Sequence, residues 1–84
     1  GYVGVESVIM GILSEVKPFT TKKGDKMAFI KVSDYNTTIE AVAFPKTYTE
    51  YREFLTQETC VALKGRTNER NGERNFIIEK VKKL

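Results

Sequence analysis

Histidine is absent from the sequence, and cysteine occurs once, at Cys60. Without histidine the chain lacks the commonest general acid–base group and the commonest metal ligand. One cysteine closes no internal disulfide and builds no zinc site of the usual Cys/His type. Cys60 lies in the apolar run Cys60-Val61-Ala62-Leu63. It is expected to be a buried, inert thiol, since free cysteine packs as a small hydrophobe. A lone thiol fits a reducing compartment, and a cytoplasmic location is the expectation. Asp25 and Asp34 stand isolated in turn segments, and Ser7, Ser14 and Ser33 have no histidine to activate them. Lys22-Lys23-Gly24 lacks the glycine spacing of a phosphate loop. No apolar run approaches the roughly 18 residues of a membrane-spanning helix. The expectation is a binding domain rather than an enzyme, with no metal, no cofactor and no membrane contact.

What the chain does have is charge of both signs, unevenly placed. The net charge is +3 over 84 residues. Five lysines against Asp25 make the segment 17–31 basic, and four bases against Glu69 and Glu73 make 64–74 basic. The segment 34–58 is acidic, and Lys80, Lys82 and Lys83 make the last residues basic again. Two basic segments far apart in sequence form a strong local field if folding brings them together. At this length one core and one domain, residues 1–84, are expected. The chain begins at Gly1 without a methionine, and it is expected to be a segment excised from a longer chain.

Hydrophobic periodicity supplies the elements. Residues 6–16 read as a long first strand, with Gly11 marking a bend or bulge and Pro18 closing it. In Met27-Ala28-Phe29-Ile30-Lys31-Val32-Ser33, Ala28, Ile30 and Val32 share one face and Met27, Phe29 and Lys31 the other. Asp34-Tyr35-Asn36-Thr37 is a turn, because Asp and Asn side chains bond the local backbone. Residues 38–44 form a third strand. The period then changes: Tyr48, Tyr51, Phe54 and Leu55 recur at helical spacing after Pro45, which suits a first helical turn. A helix of about three turns over 45–55 is predicted, packing those side chains on the core. Residues 59–67 form a fourth strand with Gly65 a bulge. Asn71-Gly72 then makes a type I′ hairpin. In a fifth strand over 75–81, Phe76, Ile78 and Lys80 share one face and Ile77, Glu79 and Val81 the other.

Three strands, a helix and two strands are the layout of an all-β, five-stranded Greek-key OB-fold barrel with one helix between strands 3 and 4. In that barrel the 1–2 and 4–5 loops flank the outer face of strands 2 and 3, where oligonucleotides lie. The 1–2 loop carries Lys17, Lys22, Lys23 and Lys26; the 4–5 loop carries Asn68, Arg70, Asn71 and Arg74. Strand 2 offers Phe29 and Lys31, with Tyr35 at its end. Cations for phosphates and rings for unstacked bases are what single strands require. Plainer roles remain open for each residue. Loop lysines can simply be solvated, Arg70 and Arg74 can form exposed ion pairs with Glu69 and Glu73, and Tyr35 can cap a turn. Phe29 can face outward, as Met27 and Lys31 beside it argue, or inward, as a small barrel short of large core residues argues.

The run Thr21-Lys22-Lys23-Gly24-Asp25-Lys26-Met27-Ala28-Phe29, followed by Asp34, Ile39-Glu40, Phe44-Pro45, Tyr48 and Tyr51, resembles the OB domain of the bacterial replicative DNA polymerase III alpha subunit. The resemblance covers about residues 5–81. The turn after Asp34, Tyr35-Asn36-Thr37-Thr38, departs from that family's glycine-containing turn. The resemblance implies a bacterial single-stranded DNA-binding module that contacts template with little sequence preference inside a larger polymerase. Catalytic residues would lie elsewhere in the parent chain. By position, Lys22, Lys23 and Phe29 fall on or beside the strand-binding side. The expected partners are single-stranded DNA and other domains of the polymerase, with the isolated domain monomeric. A protein-docking module, with Glu50 and Glu53 of the helix as the working face, is the alternative. An RNA- or tRNA-binding OB domain is another, since similar modules occur in aminoacyl-tRNA synthetases.

Overall fold

The computed structural model describes residues 6–34 and 36–84, with Arg70 described by its backbone alone. Five strands and one helix follow in the order β1 (Glu6–Thr20), β2 (Lys26–Ser33), β3 (Thr38–Ala43), α1 (Pro45–Tyr51), β4 (Cys60–Arg70) and β5 (Glu73–Lys83). The strands close into a barrel in the order β1-β2-β3-β5-β4. Among the described residues only β3 and β5 pair in parallel, through Ala41↔Phe76 and Val42↔Ile77. Closure gives every strand two neighbours and so limits the free edge open to edge-to-edge association; the end of β1, residues 15–20, is paired with β2 alone.

The alternation of β2 holds from Ala28 on: Ala28, Ile30 and Val32 are buried, and Phe29 and Lys31 are exposed. Met27, read as sharing the face of Phe29 and Lys31, is buried as well, though outside the core cluster. Ala28, Ile30 and Val32 join Leu13, Val61, Leu63, Phe76, Ile78 and others in that one cluster. Each large side chain so buried contributes about 1.5–3 kcal/mol relative to exposure. Tyr48, Tyr51 and Phe54 pack against the cluster from α1 and the turn after it, and Thr47 Oγ1 donates to the Ile78 carbonyl at 3.1 Å. Two of the turns that join strands also follow the sequence. Asp34 Oδ1 accepts from the Asn36 and Thr37 amides at 2.9 and 3.0 Å. Asn71 and Gly72 have φ of 53° and 79°, as a type I′ turn needs.

Several expectations are corrected. Pro18 does not close β1. The strand runs to Thr20, with Pro18 opposite Ala28 on a stretch paired with β2 alone, where a strand proline is tolerated. Lys17 therefore belongs to β1 rather than to the loop. The bulge in β1 is at Ser14, which stands unpaired between Leu13↔Val32 and Glu15↔Lys31. Gly11 instead marks a close approach, since a Cβ there would sit 2.5 Å from the Ser33 carbonyl oxygen. The irregularity at Gly65 is real, but the extra residue is Glu79 on β5, between Lys64↔Lys80 and Gly65↔Ile78. That insertion reverses the phase of β5, so Val81 is buried and Lys80 exposed. The α-helix ends at Tyr51. Phe54 and Leu55 then donate to Tyr51 and Arg52, three residues back, the tighter spacing common at helix ends. Cys60 is exposed, not buried, because Val61 and Leu63 take the inward positions of β4.

Candidate nucleic-acid interface

The register of β1, β2 and β3 sorts the outer face into rows. Glu15, Lys31 and Glu40 make one row, Lys17, Phe29 and Val42 the next, and Phe19 and Met27 the third. Beyond the third row lies the hairpin, where Thr20 pairs with Lys26 and the chain turns through Thr21–Asp25. The turn is built locally. Thr21 donates its amide to the Asp25 carbonyl at 2.8 Å and accepts from the Gly24 amide at 2.9 Å, and Gly24 takes φ of 90°. This geometry holds Lys22 and Lys23 at an exposed tip.

Phe29 is 49% exposed and Phe19 is 52% exposed. Their ring centroids are 6.0 Å apart at an interplanar angle of 63°, an edge-to-face pair. A cleft of about 360 Å³ lies over the first two rows, lined by Glu15, Lys17, Phe29, Lys31, Glu40 and, from β5, Asn75. A larger, shallower depression adjoins it between the β2–β3 turn and the β4–β5 arm; Lys31, Ser33, Thr38, Thr67 and Arg74 are on its walls. Hydroxyls there are linked: Ser33 Oγ donates to Ser14 Oγ at 2.9 Å and lies 3.1 Å from Thr38 Oγ1.

The cations differ in their surroundings. Glu15 sits between two lysines, 3.6 Å from Lys17 Nζ and 3.5 Å from Lys31 Nζ. Arg74 Nε donates to Glu69 Oε2 at 2.8 Å across the β4–β5 ladder. Lys22, Lys23 and Lys26 have no ion-pair partner among the described residues. Exposed pairs of this kind are worth about 0–1 kcal/mol, so they can yield to a phosphate.

Of the sequence-derived candidates, Phe29, Lys31 and Arg74 therefore border two adjoining clefts. Lys22, Lys23 and Lys26 stand together on the hairpin beyond them. The side chain of Arg70 and the whole of Tyr35 lie outside the described residues. Phe19 was not among the candidates. Its signal in the sequence is its place two residues after Lys17, on a strand that continues through Pro18. Tyr51, on α1, has its phenol pushed above the ordinary value, first by desolvation and then by the hydrogen bond and charge of Glu50.

A closed five-stranded barrel with its one helix between β3 and β4 is the OB-fold architecture, and fold comparison agrees. A mitochondrial single-stranded DNA binding protein from S. cerevisiae superposes with a TM-score of 0.75 at 10% identity, over 95% of this chain and 93% of that one. Asparaginyl-tRNA synthetase from Pyrococcus horikoshii superposes at 0.70 with 16% identity, over 98% of this chain and 20% of that one. The family model described as an OB-fold nucleic acid binding domain matches residues 8–84, and the chain belongs to that family. In sequence it is similar to DNA polymerase III subunit alpha of Aquifex aeolicus, 35% identical over 78 residues, and of Staphylococcus aureus, 31% identical over 70 residues. These matches cover 90% and 83% of this chain and 7% of each polymerase subunit. The resemblance read from the lysine hairpin and the motifs after it is thus met by alignment over most of the chain.

Proposed function

We propose that this OB domain holds single-stranded DNA for a bacterial replicative polymerase, with little preference for base sequence. The observation that carries the proposal is Phe29: a ring half exposed in the middle of the β1–β2–β3 outer face, in a cleft with lysines on two of its sides. Membership of a nucleic-acid-binding family and similarity to polymerase III alpha subunits support it. In this reading Phe29 stacks on an unpaired base, a contact worth about 1–3 kcal/mol. Lys22, Lys23 and Lys26 engage phosphates from the hairpin. Lys31 and Arg74 do so from the clefts, after exchanging their carboxylate partners; the expected contacts of Arg70 and Tyr35 lie outside the described residues. Phosphates and ring faces carry no base identity, hence the low sequence preference. The parent chain supplies the polymerase chemistry, and the working compartment is the bacterial cytoplasm.

The test is an amide NMR titration of the 84-residue chain with oligo-dT at low and moderate salt. Shifts at residues 20–31 and 73–76 that weaken with salt support the proposal. Equal binding of a duplex of the same length would defeat it, because a duplex offers no unstacked base to Phe29. A domain that instead docks protein through Glu50 and Glu53 would keep its binding after Lys22→Glu/Lys23→Glu; the DNA reading requires that binding to fall.

A further inference from the structure

We infer that the site is a two-ring platform, on which Phe19 and Phe29 take two neighbouring bases of single-stranded DNA, and that the carboxylates of Glu15 and Glu40 weaken the hold on the strand beyond it, where Lys31 and Arg74 lie. The inference rests on the single-strand reading above and extends it to a residue and a boundary. Both rings are about half exposed on one face, and their centroids are 6.0 Å apart. That spacing is within reach of consecutive bases in an extended strand, and the edge-to-face angle lets each ring offer a face of its own. Lys17 stands beside both, opposite Phe29 in register and two residues before Phe19 on the same side of β1. It is placed for the phosphate between the two bases.

The next row changes sign. Lys31 lies between Glu15 on one strand and Glu40 on the other, so this row carries two negative charges against one positive. Glu15 already engages both Lys17 and Lys31. A phosphate placed over this row must displace Glu15 from Lys31 and meets Glu40 beside it, whereas the opposite end of the platform leads to Lys26, Lys22 and Lys23. The strand is thus favoured toward the hairpin and opposed toward the carboxylate row.

The experiment measures oligo-dT affinity by fluorescence anisotropy for the full 84-residue chain, using 4- and 12-nucleotide strands. Four proteins are compared: unchanged, Phe29→Leu, Phe19→Leu, and Glu15→Gln/Glu40→Gln. Leucine keeps apolar bulk and removes the ring, and amide spectra verify that each variant is folded. Phe19→Leu should weaken binding about as much as Phe29→Leu, by at least about 5-fold, the equivalent of one base–ring stack. The double glutamine variant should bind the 12-nucleotide strand several-fold more tightly and gain less with the 4-nucleotide strand. A Phe19→Leu protein that binds like the unchanged chain, while Phe29→Leu binds weakly, overturns the two-ring platform and leaves the function standing. Equal gain on both strands, or none, overturns the boundary. Absence of binding by the unchanged chain overturns the function and the platform together.

Discussion

Gly65→Ala should be the most damaging single methyl addition in the barrel. Gly65 faces the core opposite Ile78, beside the extra residue Glu79 of β5. A Cβ built there would lie 1.9 Å from the Ile77 carbonyl oxygen, 2.9 Å from its carbon and 3.0 Å from Phe76 Cε2. Carbon–oxygen contacts settle near 3.3 Å, so the β4–β5 ladder would have to open by about 1.4 Å locally. The obstructing atoms are backbone in a closed barrel, and no flexible side chain can swing aside. Overpacking of this kind costs about 1–3 kcal/mol and sometimes more, and a lost ladder hydrogen bond adds about 1 kcal/mol. Alanine returns about 0.4–1 kcal/mol by restricting the unfolded chain. The net expectation is a loss of about 2–3 kcal/mol, a large share of the roughly 4–13 kcal/mol that a chain this size commands. In thermal terms it is a fall in Tm of about 8–24 °C. Urea unfolding followed by circular dichroism measures it, with an unchanged m-value showing that the native state and not the unfolded ensemble has moved. Gly72→Ala is the control. Its φ is 79° but nothing stands within 4 Å of its Cβ, so only the left-handed backbone penalty of about 1–2 kcal/mol applies. If Gly65→Ala proves no worse than Gly72→Ala, the steric reasoning about the bulge is refuted.

Three further outcomes are expected. With phosphates on Lys22, Lys23, Lys26, Lys31 and Arg74, log affinity for oligo-dT should fall against log salt with a slope of about −3.5, at about −0.7 per contact; Lys22→Glu/Lys23→Glu should remove at least two contacts' share of that slope, and an unchanged slope would place the phosphates elsewhere. Cys60 should react with a thiol reagent in the folded protein without waiting for unfolding, since it is exposed; labelling that follows the unfolding rate would mean the thiol is covered. Asp34→Ala should cost about 1 kcal/mol by removing two amide partners at the β2–β3 turn, and Asp34→Asn should restore most of it because the amide oxygen still accepts.

The elements themselves were legible because each has a local cause. Alternation in Ala28–Val32 fixed the inward face of β2, Asn71-Gly72 announced its turn, and the change of period after Pro45 announced α1. The family was legible from the lysine hairpin and the motifs that follow it. What the pattern could not disclose was set by partners distant in sequence. The apolar spacing of Tyr51, Phe54 and Leu55 is helical whether the last turn is α or tighter, so it does not mark where α1 stops. Cys60 looks like core in a four-residue apolar run, and only the inward placement of Val61 and Leu63 turns it out. The ion pairs of Lys31 and Arg74 depend on cross-strand register, which periodicity leaves free.

One such register effect creates the candidate site. Leu13 points into the core. Were β1 to continue in simple alternation, residues 15, 17 and 19 would point inward with it, placing a carboxylate and an ammonium in the barrel and removing Phe19 from the surface. Ser14 prevents this. As an extra residue between Leu13↔Val32 and Glu15↔Lys31, it shifts the phase by one, so Val16 faces Ile30 in the core while Glu15, Lys17 and Phe19 come to the outer face. Bulges commonly re-aim side chains beside functional sites. Here the bulge is fastened by the Ser14 hydroxyl, which donates to the Lys31 carbonyl at 3.1 Å and accepts from Ser33 Oγ at 2.9 Å. A single serine between two strands therefore decides whether Phe29 stands alone or beside a second ring, and whether its lysine neighbour is on the surface at all.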